Sequence, residues 1–486
     1  MQLDDDVCYR ALASRDARFD GRFFTAVRST GVYCRPVCPA RTPRRENCLV
    51  LPCAAAAQEA GYRPCLRCRP EASPGTPAWQ GTSATVSRAL RLIGDGALDG
   101  AGVDDLADRL GIGSRHLRRL FLEHLGASPV AVAQTRRLLF AKKLIDETRL
   151  PMAEIALASG FSSVRRFNDA FRESYGRAPR ELRRDGRHRS VTGGKAGSCE
   201  RGLVLHLAYR PPYPWQAVLG FLGARATRGV ERVTSESYRR TFRLGEAAGR
   251  IDVRWVPERN ALRATVRYAG PLLLIQVAER LRSLFDLEAD PDEIGRVLGR
   301  DPRLRRSLRT LPGVRVPGAW DGFELAVRAI LGQQVSVAAA TTLAGRLAEA
   351  CGEKLPEDPT DAEGPGCLFP TASAVAAHDL RGSGLPRARE KAIRTLAEQV
   401  ASGRLSLEPS ADPDGLRERL MALPGIGPWT AEYVAMRALR EPDAFPASDL
   451  GLLRALDTTP RRLLEAAEAW RPWRAYAALL LWQTAA

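Results

Sequence analysis

Two close cysteine pairs, Cys34/Cys38 and Cys65/Cys68, could do chemistry in this chain. Their spacings, C-x3-C and C-x2-C with one supersecondary unit between, are those of a tetrahedral zinc site. Arginines flank both pairs, in Val-Tyr-Cys34-Arg-Pro-Val-Cys38-Pro and Pro-Cys65-Leu-Arg-Cys68-Arg. A guanidinium beside a thiol favours the thiolate and offers a phosphate a bidentate partner. The site therefore points to chemistry at a nucleic-acid backbone. Four thiolates on one Zn2+ carry a net charge of about −2, which leaves sulfur electron-rich yet unprotonated at neutral pH. Such a sulfur can take an alkyl group by in-line displacement without a separate base. Cys48 and Cys53 lie between the pairs and leave an alternative ligand set open.

A second chemical group lies far along the chain, at Leu423-Pro-Gly425-Ile-Gly427-Pro-Trp429-Thr-Ala-Glu-Tyr433. This reads as a helix–hairpin–helix turn. Gly425 and Gly427 let backbone N–H groups approach a phosphate, reinforced by the next helix N-terminus and often by a bound monovalent cation.

The elements that must position these groups fall into several domains. The chain has 486 residues, more than one ordinary core holds. Lys+Arg number 73 against 56 Asp+Glu, a formal net charge of +17 carried mostly by arginine. That excess favours a polyanionic partner, nucleic acid ahead of membrane. No apolar run reaches the length of a membrane span. The acidic start Met1-Gln-Leu-Asp-Asp-Asp has no apolar stretch behind it, so no signal peptide is expected. Cys8, Cys48, Cys53, Cys199, Cys351 and Cys367 are scattered without a disulfide framework, which suits a cytoplasmic, nucleoid-associated protein.

Turn formers at Glu71-Ala-Ser-Pro-Gly-Thr-Pro close the cysteine segment, and the Gly-rich basic stretch at 186–200 reads as a linker. Between them, Val103–Phe121 reads as helix, Gly-containing turn, helix, with Ser114 as N-cap and Arg115, His116, Arg118 and Arg119 exposed. Met152–Phe171 repeats the pattern and presents Arg165 and Arg166. After the linker, strands are expected at 202–210, 250–256 and 262–268 around a helix at Trp215–Arg225. From about Pro291 the chain reads as helical to its end.

Three resemblances sharpen these expectations. Residues 1–75 resemble the N-terminal domain of Ada-type alkylation-response proteins, through Phe19-Asp-Gly-Arg-Phe-Phe-Thr-Ala-Val-Arg-Ser-Thr-Gly-Val-Tyr-Cys34-Arg-Pro-Val-Cys38, Arg41, Glu46-Asn47 and Gly61-Tyr-Arg-Pro-Cys65-x-x-Cys68. The resemblance implies that Cys34 irreversibly accepts a methyl group from a methyl phosphotriester in DNA, with Thr30, Arg41 and Arg63 around the phosphate. Methylation would change the cluster from about −2 to about −1 and strengthen DNA binding by ~1–3 kcal/mol, screened by salt. The paired helix-turn-helix units resemble AraC-type regulators, which implies a recognition helix in a major groove led by Arg165 and Arg166. An activator of this kind adds RNA polymerase to the expected partners.

Residues 201–486 resemble the AlkA-type 3-methyladenine DNA glycosylases of the HhH-GPD superfamily, through Tyr209-Arg-Pro-Pro-Tyr-Pro-Trp, Ala329-Ile-Leu-Gly-Gln-Gln-Val-Ser, the hairpin, Phe445-Pro-Ala-Ser-Asp449 and Trp470-Arg-Pro-Trp-Arg. The resemblance implies that Asp449 is catalytic. A purine alkylated at N3 or N7 is already cationic and departs without a general acid, so one carboxylate suffices. Phe221, Trp429, Tyr433 and Trp482 would line the pocket for the extruded base, and Gln334 would wedge into the vacated stack. Gly451 stands where family members can carry a bulky apolar residue, which bears on pocket size. Trp429 stands where strand-cutting relatives place a lysine, and no cysteine follows Cys367 to hold an iron–sulfur cluster. The Pro-Cys-His-Arg motif of a second Ada methyltransferase domain is absent.

The expected architecture is multidomain α+β. A small zinc-bound α/β domain spans 1–77, an all-α double helix-turn-helix domain 82–185, a small α/β sheet domain 201–289 and an all-α HhH-GPD glycosylase domain 290–486. The expected partner is double-stranded DNA, both alkylated and promoter, and no membrane. The rival reading is a regulator whose glycosylase-like part only binds DNA.

Overall fold

The computed structural model describes residues 4–75, 84–185, 202–357, 363–380, 385–408 and 412–484. The expected linker at 186–200 and Cys199 lie outside them. The chain divides into two compact units. The first comprises Met1–Pro211, Val256–Arg267 and Pro271–Glu279; the second comprises Pro212–Trp255, Tyr268–Gly270 and Arg280–Ala486.

The first unit opens with α1 (Asp5–Ser14), β1 (Phe24–Val27), β2 (Val32–Cys34), β3 (Cys48–Leu51), α2 (Ala54–Glu59) and β4 (Arg63–Pro64). The strands form one sheet in the order β3-β1-β2-β4, with only the β2–β4 pair parallel. Phe24, Ala26 and Tyr33 pack against Ala54 and Ala57 of α2, and the Phe24 and Tyr33 rings meet edge to face at 5.7 Å. The short alanine run lets α2 lie close to the sheet. The sheet in turn presents Cys34 at the end of β2.

Seven helices follow: α3 (Ala84–Gly94), α4 (Val103–Arg109), α5 (Ser114–Leu125), α6 (Pro129–Glu147), α7 (Met152–Ala158), α8 (Val164–Tyr175) and α9 (Pro179–Asp185). The pairs α4–α5 and α7–α8 are the two helix-turn-helix units. Leu117, Phe121 and Leu125 repeat every four residues on α5, as do Phe167, Phe171 and Tyr175 on α8, so each helix buries one stripe. Both end at a left-handed glycine, Gly126 and Gly176. The Ser163 hydroxyl caps α8 by accepting from the Arg166 N–H at 3.2 Å. The expected Ser114 cap is one residue off: Gly113 is the N-cap and Ser114 begins the helix. That turn is a residue shorter than its counterpart after Gly160, so helical backbone starts sooner.

Buried charge joins the cysteine segment to α6. Lys142 lies 2.6 Å from Asp146 and 3.6 Å from Glu71, and Arg69 lies 3.1 Å from Asp146. Lys143 pairs with Glu147 at 2.9 Å, and Glu147 also accepts the His206 backbone N–H at 3.1 Å. Burial pushes Glu147 up, but Lys143 and His206 overcome it and hold the carboxyl at about 2.

The chain continues through β5 (Leu203–Ala208), α10 (Trp215–Gly223), β6 (Glu231–Val233), β7 (Ser237–Leu244), β8 (Ala247–Val256) and β9 (Ala261–Ala269). In the first unit β5 pairs antiparallel with β9, from Leu203 opposite Val266 to Ala208 opposite Ala261. In the second, β6, β7 and β8 form an antiparallel meander. The sequence pattern gave no sign of β6 or β7. In Ser237-Tyr-Arg-Arg-Thr-Phe-Arg-Leu the inward-facing Arg240 masks the alternation, because its charge is buried against Glu324 at 2.7 Å.

The remaining helices are α11 (Leu274–Leu284), α12 (Pro291–Leu298), α13 (Pro302–Thr310), α14 (Gly322–Leu331), α15 (Val337–Cys351), α16 (Ala372–Ala377), α17 (Arg387–Ala401), α18 (Pro413–Met421), α19 (Pro428–Arg437), α20 (Leu450–Ala455), α21 (Pro460–Ala467) and α22 (Arg474–Thr484). The hairpin between α18 and α19 and the start of α20 bring the second chemical group together.

Candidate metal centre and base pocket

The Sγ atoms of Cys34, Cys38, Cys65 and Cys68 all lie within 4.8 Å of one another, and all four residues are buried. A tetrahedral Zn2+ at about 2.3 Å from each sulfur places sulfurs ~3.8 Å apart, so the set fits the ion. Burial and the negative charge of neighbouring thiolates oppose ionising all four thiols at once. Only a bound dication lets all four ionise together. Exposure is 8% at Cys34 and Cys65 and 6% at Cys38 and Cys68, so access alone singles out no sulfur. The alternative ligands are elsewhere: Cys48 Sγ meets the Arg44 carbonyl at 3.3 Å, and Cys53 Sγ accepts from Ala56 N–H at 3.4 Å as the N-cap of α2.

The flanking arginines divide. Arg35 Nε donates to Asp20 at 2.9 Å and Nη1 to the Cys68 carbonyl at 3.1 Å, while its backbone N–H reaches Cys68 Sγ at 3.4 Å. Arg35 thus braces the cluster from behind. Arg69 is held by Glu71 and Asp146. Arg67 is exposed, as are Thr30, Arg41 and Arg63. Arg63 stands opposite Val32 in the β2–β4 ladder, next to the turn that carries Thr30.

On the helix-turn-helix units, Arg115, His116, Arg118 and Arg119 line one open face of α5, and Arg165 and Arg166 are exposed at the start of α8.

In the second unit, Asp449 is the N-cap of α20. Its Oδ1 accepts from Leu452 N–H at 3.0 Å and from Trp482 Nε1 at 2.9 Å, and its Oδ2 from Trp429 Nε1 at 2.8 Å. The Trp429 and Tyr433 rings stack at 5.2 Å and 12°, and Trp482 tilts against Tyr433 at 6.3 Å. Phe221 joins them through Arg437, whose Cζ lies 4.9 Å from the Phe221 ring and 5.4 Å from Tyr433. Three of the four expected pocket aromatics therefore adjoin the Asp449 carboxylate or one another directly, and the fourth meets them across a guanidinium. A Cβ at Gly451 would come within 3.0 Å of Asp449 Oδ1 and 3.4 Å of Trp482, so the missing side chain leaves this side of the carboxylate open.

Gln334 lies exposed in the turn between α14 and α15 with φ +54, the left-handed region that non-glycine residues seldom occupy. Its neighbour Gln333 ties that turn to the hairpin, donating to the Gly425 carbonyl at 2.8 Å and to Thr430 Oγ1 at 2.9 Å. Gly425 has φ +80, which requires glycine. Gly427 is the N-cap of α19.

Sequence reasoning missed Arg437 and Arg225. Both follow a pocket aromatic by four residues, Tyr433 and Phe221, which puts each arginine against its ring on a helix face.

Comparison with known proteins covers the whole chain. Residues 7–71 match the metal binding domain of Ada, 106–185 a helix-turn-helix domain, 204–321 the AlkA N-terminal domain and 327–461 the HhH-GPD superfamily of base excision DNA repair proteins. The chain is 43% identical over 493 aligned residues to a probable bifunctional transcriptional activator/DNA repair enzyme AlkA of Mycobacterium tuberculosis, covering 100% of this chain and 97% of that protein. It is 37% identical to DNA-3-methyladenine glycosylase 2 of Escherichia coli, over 57% of this chain and 96% of that one. The fold of a 3-methyladenine DNA glycosylase from Archaeoglobus fulgidus superposes with a TM-score of 0.50 at 24% identity, over 57% of this chain and 97% of that one. The expected architecture of Ada zinc domain, helix-turn-helix domain, small sheet domain and helical HhH-GPD domain is the one these matches describe. The chain belongs to the family of bifunctional transcriptional activator/DNA repair enzymes that join an Ada-type metal-binding segment and a helix-turn-helix reader to an AlkA-type glycosylase.

Proposed function

We propose that this protein removes DNA alkylation damage in two ways and reports it to transcription. Cys34 Sγ attacks the methyl carbon of a methyl phosphotriester; the S–CH3 bond forms, the O–CH3 bond breaks, and the phosphodiester anion leaves. Bound zinc supplies the charge that keeps the four sulfurs deprotonated and one of them nucleophilic. Thr30, Arg41 and Arg63 hold the phosphate. The reacted cluster has lost one negative charge, binds DNA more tightly, and brings Arg115, Arg165 and Arg166 to promoter DNA for RNA polymerase to use.

In the second unit, Gly425 and Gly427 bind the backbone, with a monovalent cation at the hairpin, and Gln334 fills the gap left by the extruded nucleotide. The cationic purine stacks among Phe221, Trp429, Tyr433 and Trp482. Its C1′–N bond breaks with the electron pair going to the base, which departs neutral. Asp449 stabilises the oxocarbenium-like sugar and takes a proton from the water that attacks C1′. Without a hairpin lysine no strand cleavage follows. The domains carrying these steps are those expected at 1–77, 82–185, 201–289 and 290–486.

The observation that carries this reading is the Asp449 carboxylate, fixed by two indole N–H groups within a nest of aromatic rings. A module that only bound DNA has no use for it. Single-turnover release of 3-methyladenine from duplex DNA by wild type and Asp449→Asn is the test. Release by wild type with loss of at least about a thousandfold in the variant supports hydrolysis; equal slow release from both favours the DNA-binding rival.

A further inference from the structure

Arg437 is a buried guanidinium whose partners do not include a carboxylate among the described residues. Its Nε donates to the Pro317 carbonyl at 2.7 Å, Nη2 to the Gly318 carbonyl at 2.9 Å and Nη1 to the Tyr433 hydroxyl oxygen at 2.7 Å. Two other arginines, Arg328 and Arg240, are arranged differently. Arg328 is 2.9 Å from both Glu231 and Glu324, and Arg240 is 2.7 Å from Glu324. Arg225 lies over the other pocket ring, its Cζ 3.9 Å from the Phe221 centroid, and donates to the Phe221 carbonyl at 3.3 Å. Two guanidinium charges, Arg225 and Arg437, thus lie against the aromatic pocket without a carboxylate of their own among the described residues.

Such an arrangement works against the attraction of Asp449 for a cationic base unless a negative charge develops between the two guanidinium groups. Among the described residues, the only acidic group in contact with Arg437 is the Tyr433 phenol. We propose that Tyr433 and Arg437 form a charge-matching pair that sets base specificity: Arg437 holds the Tyr433 oxygen as the anionic edge of the pocket, which then favours positively charged purines over neutral ones. The proposal rests on the base-excision reading above and extends it to how the base is chosen.

The groups facing Tyr433 come from four elements: Arg437 on its own helix, Arg225 at the end of α10, Arg328 on α14, and Asp449 at the start of α20 beyond the Trp429 and Trp482 rings. Burial pushes the phenol up, but the charges of Arg437, Arg225 and Arg328 and the Arg437 hydrogen bond pull it down to about 8, against about 10 for an ordinary tyrosine. A cationic purine stacked beside the ring lowers it further, so its arrival expels the phenolic proton to solvent. A neutral purine brings no such gain. The ionised ring is also the better cation–π face.

The test uses the full chain and two readouts. Tyrosinate absorbance is followed against pH in wild type, Tyr433→Phe, Arg437→Met and Arg437→Lys. One tyrosine should titrate near 8 in wild type, disappear in Tyr433→Phe, move up by about one unit or more in Arg437→Met, and stay low in Arg437→Lys. In single turnovers on duplexes carrying 3-methyladenine (cationic) or hypoxanthine (neutral), Tyr433→Phe and Arg437→Met should lose about tenfold of the preference for the cationic base, read as the ratio of the two rates within each variant. Absence of any tyrosine titrating below about 9.5 in wild type, or equal loss on both bases, overturns the proposal. The titration needs no base release. A chain that titrates as described yet releases neither base therefore overturns the excision reading itself.

Discussion

Asp449 accepts three hydrogen bonds that its neighbours can make only in one orientation. The indoles of Trp429 and Trp482 each spend their single donor on this carboxylate, so the same two rings that bound the pocket also aim the acid. Replacing Trp482 by phenylalanine keeps an aromatic surface and removes one donor. The expected result is a fall in the single-turnover excision rate of about tenfold to a hundredfold, with the melting temperature held within a few degrees. A variant as fast as wild type would show that the carboxylate needs no such clamp. Asp449 itself was singled out in the sequence by the resemblance that places it after the hairpin. Its clamp was not, because the donors come from residues twenty before and thirty-three after it and meet only in the fold.

At the scale of elements, α6 gathers buried charge that a surface helix would leave in water. Lys142 and Glu71 side chains are only 6% and 2% exposed, whereas the Arg119–Glu123 pair on α5 is 65% and 57% exposed. Magnitudes then separate the two. Glu123→Ala should cost less than about 0.5 kcal/mol, while Lys142→Met strands Glu71 and Asp146 beside Arg69 alone and should cost about 3 kcal/mol in urea unfolding. Equal small effects would mean water reaches the α6 cluster. Glu147 adds a pH dependence. Its folded value of about 2 lies below the unfolded value, so its contribution to stability is complete above about 4.3 and is lost as pH falls toward the folded value. Glu147→Gln should flatten that part of the acid-unfolding curve. The repeated four-residue spacing of Phe167, Phe171 and Tyr175 made the helices legible. The strands β6 and β7 were not, because buried Glu231 and Arg240 break the apolar alternation on which strand recognition depends.

At the scale of the whole molecule, the two proposed chemistries are encoded by two kinds of pattern. The metal centre is local: both cysteine pairs lie in one short segment, and their spacing put forward, ahead of a set drawing on Cys48 or Cys53, the four sulfurs that the fold brings together. The proposed base pocket is distributed over α10, α19, α20 and α22, so its aromatics could be found only by resemblance, and its arginines not even so. No described helix is long and apolar enough to cross a membrane. The chain carries a helix-turn-helix domain and an HhH-GPD base excision DNA repair domain, both of DNA-binding kind. The most direct test reacts wild type, Cys34→Ser and Asp449→Asn with duplex DNA carrying both methyl phosphotriesters and 3-methyladenine, then measures protein mass and released base together. Wild type should gain one methyl on Cys34 and release base repeatedly, Cys34→Ser should release base without gaining the methyl, and Asp449→Asn should gain the methyl without releasing base. A single variant that loses both reactions while still folded, or a wild type whose Cys34 stays unmodified as base is released, would contradict two separate chemistries in one chain.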